Sequence, residues 1–473
     1  MDNNKTLIVG GGPAGLATAL MLAKRGWCDI TVLERRSSAS SYQVDKSYSY
    51  LIDGRGQKII DLLGLTHNLA AISVPTTEFY LTEIKTDGSL KKRKLPIVDP
   101  NRKTAYWLPR SEFLNLLYEE IKQNWQEQIT VLFNTQCLEI ISTENKLEIV
   151  AKDARDNILK FAPDFLVGCD GINSIVRQTL AKWEDSESDL FTMKEFSSPS
   201  AGLKYKTLIL PAKFSLNRDC TDFSNSTMAY AIRGLKTNNT VPYFLGLLPV
   251  KNPDLPRNAN IIRRENDPIW KLKTGQELLE FLTEIFPQIP IEEIISPEEA
   301  ARFVNSKGGY FPKPQYCLGS YFLAKNDCKI ALLGDAIHCF PPDIGQGVNS
   351  ALEDIIVLKE ALDSSKDDLS VALPLYQSNR NPDTKALIAL ARFAYPYQYN
   401  QDPIAKKLWS INFTIRLLLS KILPFLIAPP AFLMIQNEQL SYKQIFNKAA
   451  KTTVILSLIL AAGCLSLLKI VIN

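Results

Sequence analysis

The chain has 473 residues, of which 46% are hydrophobic and 22% charged, a balance that fits two or three globular domains with a large core. Its net charge of +4 is too small to argue for a nucleic-acid partner. Eight Cys with no CxxC pair, and only two His (His67 and His338), argue against a zinc site, a disulfide framework, a His-based metal centre and a Ser-His-Asp hydrolase, and they suit a reducing compartment.

The chain opens with an apolar run, Leu7 to Val9, read as a buried parallel strand. It meets Gly10-x-Gly12-x-x-Gly15 directly, and Leu16 to Lys24 continues as a helix. Gly10 allows the tight turn, Gly12 lets backbone approach a pyrophosphate, and Gly15 lets helix and strand pack closely. The helix N-terminus offers free N–H groups to phosphates. A second strand, Ile30 to Leu33, ends at Glu34, a carboxylate placed for ribose hydroxyls. The order strand, glycines, helix, strand and Glu predicts dinucleotide binding without saying which dinucleotide. No leader is expected ahead of a strand that begins by residue 5.

Tyr48 to Gly56 leads into a helix over 57–63, stopped by Gly64. Residues 76–98 read as a hairpin turning at Thr86 to Ser89. Lys91 to Lys94 on its return strand are expected to form a solvated edge, or alternatively a patch facing a membrane or NADPH. Leu108 begins an amphipathic helix to about residue 125, and strands near 129–133, 137–141, 146–151 and 157–161 suggest a meander beside the parallel sheet. Phe165 to Gly168 is another buried strand, ending at Cys169-Asp170-Gly171. There Asp170 is placed to cap a helix and Arg177 to face a cofactor. Residues 201–265 read as strands (203–210, 227–232, 241–250), followed by helices at 275–285 and 297–304.

Lys329 to Leu333 is a short strand leading into Gly334-Asp335, then Pro341-Pro342-Asp-Ile-Gly345-Gln346-Gly347 and a helix over 348–362. Asp335 follows its strand as Glu34 does, which suits a ribityl hydroxyl. The prolines stiffen the loop. Gly345 to Gly347 bring N–H groups to a helix start, where an electron-rich carbonyl such as a flavin O2 fits. His338 reads as a hydrogen-bonded turn residue rather than a catalyst. Beyond 370 the chain is helical. Residues 404–435 mix apolar runs with Lys406, Lys407, Arg416 and Lys421 and are broken by Pro424, Pro429 and Pro430, which suits an interfacial segment. Thr452 to Ile472 carries one charge, Lys469, and is long enough to span a bilayer. Lys443, Lys448 and Lys451 just before it predict a single-pass tail anchor with the folded part on the cytosolic side.

Taken together, GxGxxG with Glu34, Asp170-Gly171, and Gly334-Asp335 with Pro342-x-x-Gly345-Gln346-Gly347 resemble the FAD-dependent aromatic-ring hydroxylases of the p-hydroxybenzoate hydroxylase type, in family order over residues 5–360. The resemblance implies an α/β fold: a Rossmann-like, glutathione-reductase-like FAD-binding domain (1–75, 101–195, 305–365) and an interleaved β-sheet substrate domain (76–100, 196–304). A helical, membrane-associated tail follows (366–451, with an anchor at 452–473). It implies that Gly10, Gly12, Pro13, Ala14, Gly15, Glu34 and Arg35 hold the ADP half. Arg55, Arg110, Asp170, Gly334, Asp335, Pro342, Gly345, Gln346, Gly347, Val348 and Asn349 would serve the rest of FAD. Tyr106, Tyr230, Tyr243, Phe311 and Pro341 are candidate substrate contacts. No metal and no side-chain catalyst is expected. NAD(P)H would be a transient reductant, and O2 the source of the oxygen passed to a small aromatic or lipophilic substrate.

Within that family the nearest resemblance is to the kynurenine 3-monooxygenase group, through 48–65, the Pro-broken apolar stretch and Tyr442. The chain departs from that group where substrate is read. Thr77 stands where the group has an Arg for the substrate carboxylate, Thr104 where it has a Tyr, and Asp343-Ile344 where it has Phe-Phe. A membrane quinone-precursor hydroxylase, an isoprenoid epoxidase or reductase, and a non-enzymatic carrier of prenylated proteins remain alternative readings.

Overall fold

The computed structural model describes residues 4–41, 48–76, 80–94, 102–143, 146–184, 188–235, 241–323, 329–399 and 402–472. Thr6–Val9 lies inside a six-stranded sheet. Ile30–Leu33 and then Ile129–Leu132 pair on one side of it, and Phe165–Gly168, Lys329–Leu332 and Tyr321–Leu323 on the other. Every pairing is parallel except that of the edge strand Tyr321–Leu323. The strand runs are uniformly apolar because both faces are covered. Ile8, Val32, Val167 and Ala331 point to a core built with the helices Pro13–Lys24, Gly54–Leu63, Arg110–Asn124 and Gly347–Ser365. The alternate residues Leu7, Leu33, Leu166, Ile330 and Leu332 point to a second core with the helix Ile175–Trp183 and an antiparallel sheet.

That antiparallel sheet contains Gln136–Ser142, Leu147–Lys152 and Ile158–Phe161. The expected meander therefore loses its first strand. Ile129–Leu132 matches Ile30–Leu33 residue for residue and extends the parallel sheet instead, a long-range pairing that local periodicity does not reveal.

A separate seven-stranded sheet runs in the order Gly309–Tyr310, Lys204–Leu210, Arg257–Arg263, Phe244–Leu247, Ala229–Arg233, Tyr80–Ile84 and Leu90–Lys94. The expected early hairpin is thus part of this sheet, joined in parallel to Ala229–Arg233. Sequence reading missed Arg257–Arg263, a strand whose alternation is obscured by Arg257 taking an inward position. The side chain there is fully buried and donates to the carbonyls of Asn225, Met228 and Leu248. Helices Gly275–Ile285 and Pro297–Asn305 pack on this sheet to close a third core.

The helix expected from 57 begins at Gly54, because Asp53 caps it through Arg55 N and Gly56 N, and it ends at left-handed Gly64. Leu369–Phe393 continues through Pro374 and Pro382 as one helix. Pro403–Ile422 follows, and Tyr442–Ile472 is a single helix. Its first turns dock on the protein, with Tyr442, Ile445 and Thr452 buried, whereas Val454, Leu458, Ile459 and Leu460 are exposed. Over Tyr442–Gly463 it is long and apolar enough to cross a membrane, with mean hydropathy 1.4. The side chain of Lys469 lies outside the described residues.

Candidate active site

The glycine turn has the geometry its sequence asks for. Gly10 sits at φ +105°, and a Cβ there would stand 2.4 Å from the Cys169 carbonyl oxygen. A Cβ on Gly15 would stand 1.9 Å from the Gly10 carbonyl oxygen. Gly12 differs from both: nothing lies within 4 Å of its virtual Cβ. That open side faces the start of the helix Pro13–Lys24, whose first turn carries no side-chain cap and no acidic residue. Unpaired N–H groups with open space before them form an anion site. Pro13 and Ala14 supply the first turn there.

Glu34 is held rather than free. Its Oε2 accepts from Gly11 N at 2.9 Å, and its Oε1 accepts from Arg36 N and Nε at 2.8 and 3.0 Å. Burial pushes its pKa up, but the bonds and charge of Arg36 pull it below the usual carboxylate range. Arg36, absent from the sequence reading, also donates to the Gly11 carbonyl at 2.9 Å and so clamps the glycine turn. Arg35, expected at the cofactor, is exposed. Consecutive residues leaving a strand point to opposite sides, and that alternation was the available signal for choosing Arg36.

Across the sheet edge, Asp335, Asp170, Arg110 and Tyr50 share an unusual setting. Each is at least partly open to solvent, yet each lies deep among protein atoms. Desolvation there pushes the Asp335, Asp170 and Tyr50 pKa values up. Side chains both deep and accessible line a trough. Asp170 Oδ2 accepts from Ile175 N at 2.6 Å, while its Oδ1 has no hydrogen-bond partner among the described residues. Arg110, at the head of the helix Arg110–Asn124, interacts electrostatically with Tyr50, Tyr48, Glu34 and Asp335. It therefore lies between the two acidic strand ends. Arg177 does not face the trough. Its guanidinium donates to the carbonyls of Ile172 and Ala336.

At the far end, Pro342, Gly345 and Gly347 are exposed while Pro341, Asp343, Ile344 and Gln346 are buried. Gly345 is left-handed at φ +64°, and nothing lies within 4 Å of a virtual Cβ at Gly345 or Gly347. The helix Gly347–Ser365 starts with no side-chain cap and no acid in its first turn. Val348, half-buried, lies in that turn. The trough thus ends at two uncapped helix N-termini, with Asp335 and Arg110 between them. These features fit FAD: uncapped N–H groups at either end and a carboxyl and a guanidinium between them.

Several expected contacts are taken up in the scaffold instead. Arg55 is 1% exposed. It donates to Glu353 Oε1 at 3.1 Å and to the carbonyls of Ile435, Asn437 and Leu440, and it lies 4.3 Å over the Tyr442 ring. Gln346 donates to Asp53 Oδ2 at 2.7 Å and accepts from the Tyr442 hydroxyl at 2.8 Å. Asn349 bridges Asp53 N and the Leu51 carbonyl. Gln346 and Asn349 therefore shape the loop through buried side chains. Gly334, at φ +66°, donates to Asp354 Oδ2 at 2.7 Å. Asp354 also receives His338 Nε2 and Arg380 Nε, which gives His338 the structural part expected of it.

Tyr230 and Tyr243, expected at the substrate, are both buried and hydrogen-bonded. The Tyr230 hydroxyl accepts from Asn225 N at 2.9 Å and its ring lies under Arg257. Tyr243 donates to Asp267, itself paired with Arg263 at 2.7 Å. Both are buried in the core of the seven-stranded sheet. Tyr106 is partly buried against the main core, in register with Ile52 and Pro75. Thr104 gives its carbonyl to Gln57 at 2.7 Å. Thr77 lies outside the described residues. Phe311 packs against Tyr205 and Tyr399 at 5.5 and 5.1 Å, beside the loop that carries Asp343. Sequence reading missed Tyr399, because nothing local links it to that loop.

Residues 3–204 and 324–389, more than half of the chain, match the FAD binding domain family. The chain is similar to kynurenine 3-monooxygenase of Candida albicans, at 23% identity over 398 residues, covering 82% of this chain and 79% of that protein. It is similar to violacein synthase of Chromobacterium violaceum, at 25% identity, covering 85% and 87%. The fold matches the solved structure of 2-methyl-3-hydroxypyridine-5-carboxylic acid oxygenase with TM-score 0.61 at 18% identity, over 86% of this chain and 93% of that one.

Proposed function

Because the chain belongs to the FAD binding domain family and is an FAD-dependent monooxygenase of the aromatic hydroxylase kind, we propose that it hydroxylates a small aromatic or lipophilic substrate at a membrane surface, with NAD(P)H as reductant. The observation that supports this most directly is the trough ending at two uncapped helix N-termini, Pro13–Lys24 and Gly347–Ser365. The N–H groups of Ala14 and Gly15 hold the cofactor phosphates, Asp335 its hydroxyls, and Arg110 the negative charge between them, while Glu34, paired with Arg36, fixes the glycine turn. Gly347 and Val348, at the start of their helix, direct N–H groups at its ring, while the Gly345 N–H closes the turn on the Pro342 carbonyl. Bound there, FAD supplies the redox chemistry through which O2 delivers one oxygen atom to an electron-rich carbon.

The rest falls to the protein. The buried side of the Pro341–Gly347 loop and the aromatic group Phe311, Tyr205 and Tyr399 exclude water and orient the ring. No side-chain base is required. In this reading, residues 1–75, 101–195 and 305–365 carry the cofactor. Residues 76–100 and 196–304 shape the substrate side, and 366–473 form the membrane-facing part. Purified in detergent, the protein is expected to show bound-flavin absorbance. It should oxidise NAD(P)H faster with one member of a panel of kynurenine, phenolic acids and polyprenyl phenols. Colourless protein that resists flavin reconstitution would overturn the proposal.

A further inference from the structure

Asp343 is a carboxyl in an apolar place. It is 2% exposed and sits on the buried side of the Pro342–Ile344 turn, next to exposed Pro342. Its Oδ1 accepts from Ser200 Oγ at 2.6 Å. Its Oδ2 has no hydrogen-bond partner among the described residues. The phenols of Tyr395 and Tyr399 both feel its charge. The turn that carries them reaches Ser200 through the Pro396 carbonyl, 3.4 Å from Ser200 Oγ. Tyr399 in turn packs at a tilt against Phe311. An orphaned acceptor in such surroundings is costly, and it persists where a ligand or the chemistry requires it.

We propose that Asp343 is a specificity-determining residue of the substrate site, whose Oδ2 accepts a hydrogen bond from an N–H or O–H group on an otherwise apolar aromatic substrate. The inference rests on the reading of the chain as an aromatic hydroxylase and narrows its substrate class. Three observations converge on it. The carboxyl belongs to the same short turn as Pro342 and Gly345, which face the trough. Tyr395 and Tyr399 lie near it and apolar Phe340 and Ile344 flank it in the loop, so the ligand that reaches it is itself largely apolar. One oxygen is already fixed by Ser200, which leaves the other with a defined direction. Burial pushes this carboxyl up to about 7, because its charge has too few partners there. A ligand N–H or O–H that donates to Oδ2 offsets that cost and holds the carboxylate form. A donor reaches Oδ2 when the 395–399 turn yields.

A matched pair of probes tests this on the intact flavin-loaded protein: indole, and benzofuran, which has the same shape without the N–H. Binding is read from perturbation of the flavin absorbance, independent of turnover. A site built around a substrate donor rejects the analogue lacking it, so indole is expected to bind at least ~10-fold more tightly. Asp343→Ala is expected to bring the ratio close to one with flavin content unchanged. Asp343→Asn, which keeps shape and an acceptor, is expected to fall between the two. Equal binding of the probes by the native protein, no binding of indole, or an unchanged ratio in both variants would each overturn the proposal. In all three outcomes a retained flavin would leave the monooxygenase reading standing. Loss of flavin from the native protein would instead strike that reading.

Discussion

At the scale of single residues, the glycine turn separates fold from ligand. Gly15→Ala places a methyl against the Gly10 carbonyl oxygen, a backbone atom that cannot move aside, so a loss of at least ~2 kcal/mol is expected in denaturant titration. Gly12→Ala meets open space at φ −76°. Its stability is expected to stay within ~0.5 kcal/mol while FAD affinity falls, because the methyl occupies the cofactor's approach. Equal effects of the two would contradict the assignment. Asp343 provides a second case with a definite sign. Its pKa is raised in the folded state, so its contribution is fully present below the unfolded value of about 4 and is lost as pH rises through about 7. Relative to Asp343→Asn, the native protein should lose melting temperature between pH 5 and 8. The glycines were legible in the sequence because their constraint is local. The charge state of Asp343 was not, because Ser200 lies 143 positions away.

Among the elements, the helix Gly347–Ser365 is the hub. Glu353 and Asp354 on it receive Arg380 at 2.9 and 2.6 Å, and Glu353 also receives Arg55. This buried network joins Gly54–Leu63, Gly347–Ser365 and Leu369–Phe393 to the segment before the last helix. The elements themselves could be read from periodicity, glycines and caps, several to within a residue or two. The network could not, because Arg55 and Leu440 share no local pattern. For the same reason Tyr230 and Tyr243 read as pocket residues when they are core: sequence gives a strand's alternation but not which face is covered. Breaking a buried pair strands its partner's charge at a cost of about 3–5 kcal/mol. Arg380→Met is therefore expected to lower stability by that order and to release flavin, since Asp354 fixes Gly334 through its N–H. Tyr442→Phe, which loses one bond to Gln346, should cost only ~1 kcal/mol.

For the whole molecule, the question is what the apolar outer surface meets. Ile404, Leu408, Ile411, Ile415 and Leu418 recur at intervals of four and three along Pro403–Ile422, and all are exposed. That spacing keeps them on one helix face. Phe425, just beyond the helix, is fully exposed. The last helix adds Val454, Leu458 and Leu460. In the proposed membrane-bound state, these two apolar surfaces would act differently: a span is hard to reverse, whereas the hold of an interfacial face scales with buried area. Ending the chain after Lys451 removes the first but keeps Tyr442 and the carbonyls that hold Arg55, so flavin should be retained. Each aliphatic side chain on the remaining face contributes about 1.5–3 kcal/mol when it leaves water. The shortened protein is therefore expected to pellet with vesicles weakly and reversibly. Leu408→Ser with Ile411→Ser in the shortened protein should abolish even that, while the same pair in the full chain leaves membrane binding intact. Shortened protein that floats free before the second change would make the span the sole attachment. Full-length protein released by the pair would make the face dominant and relegate the last helix to packing against its own fold.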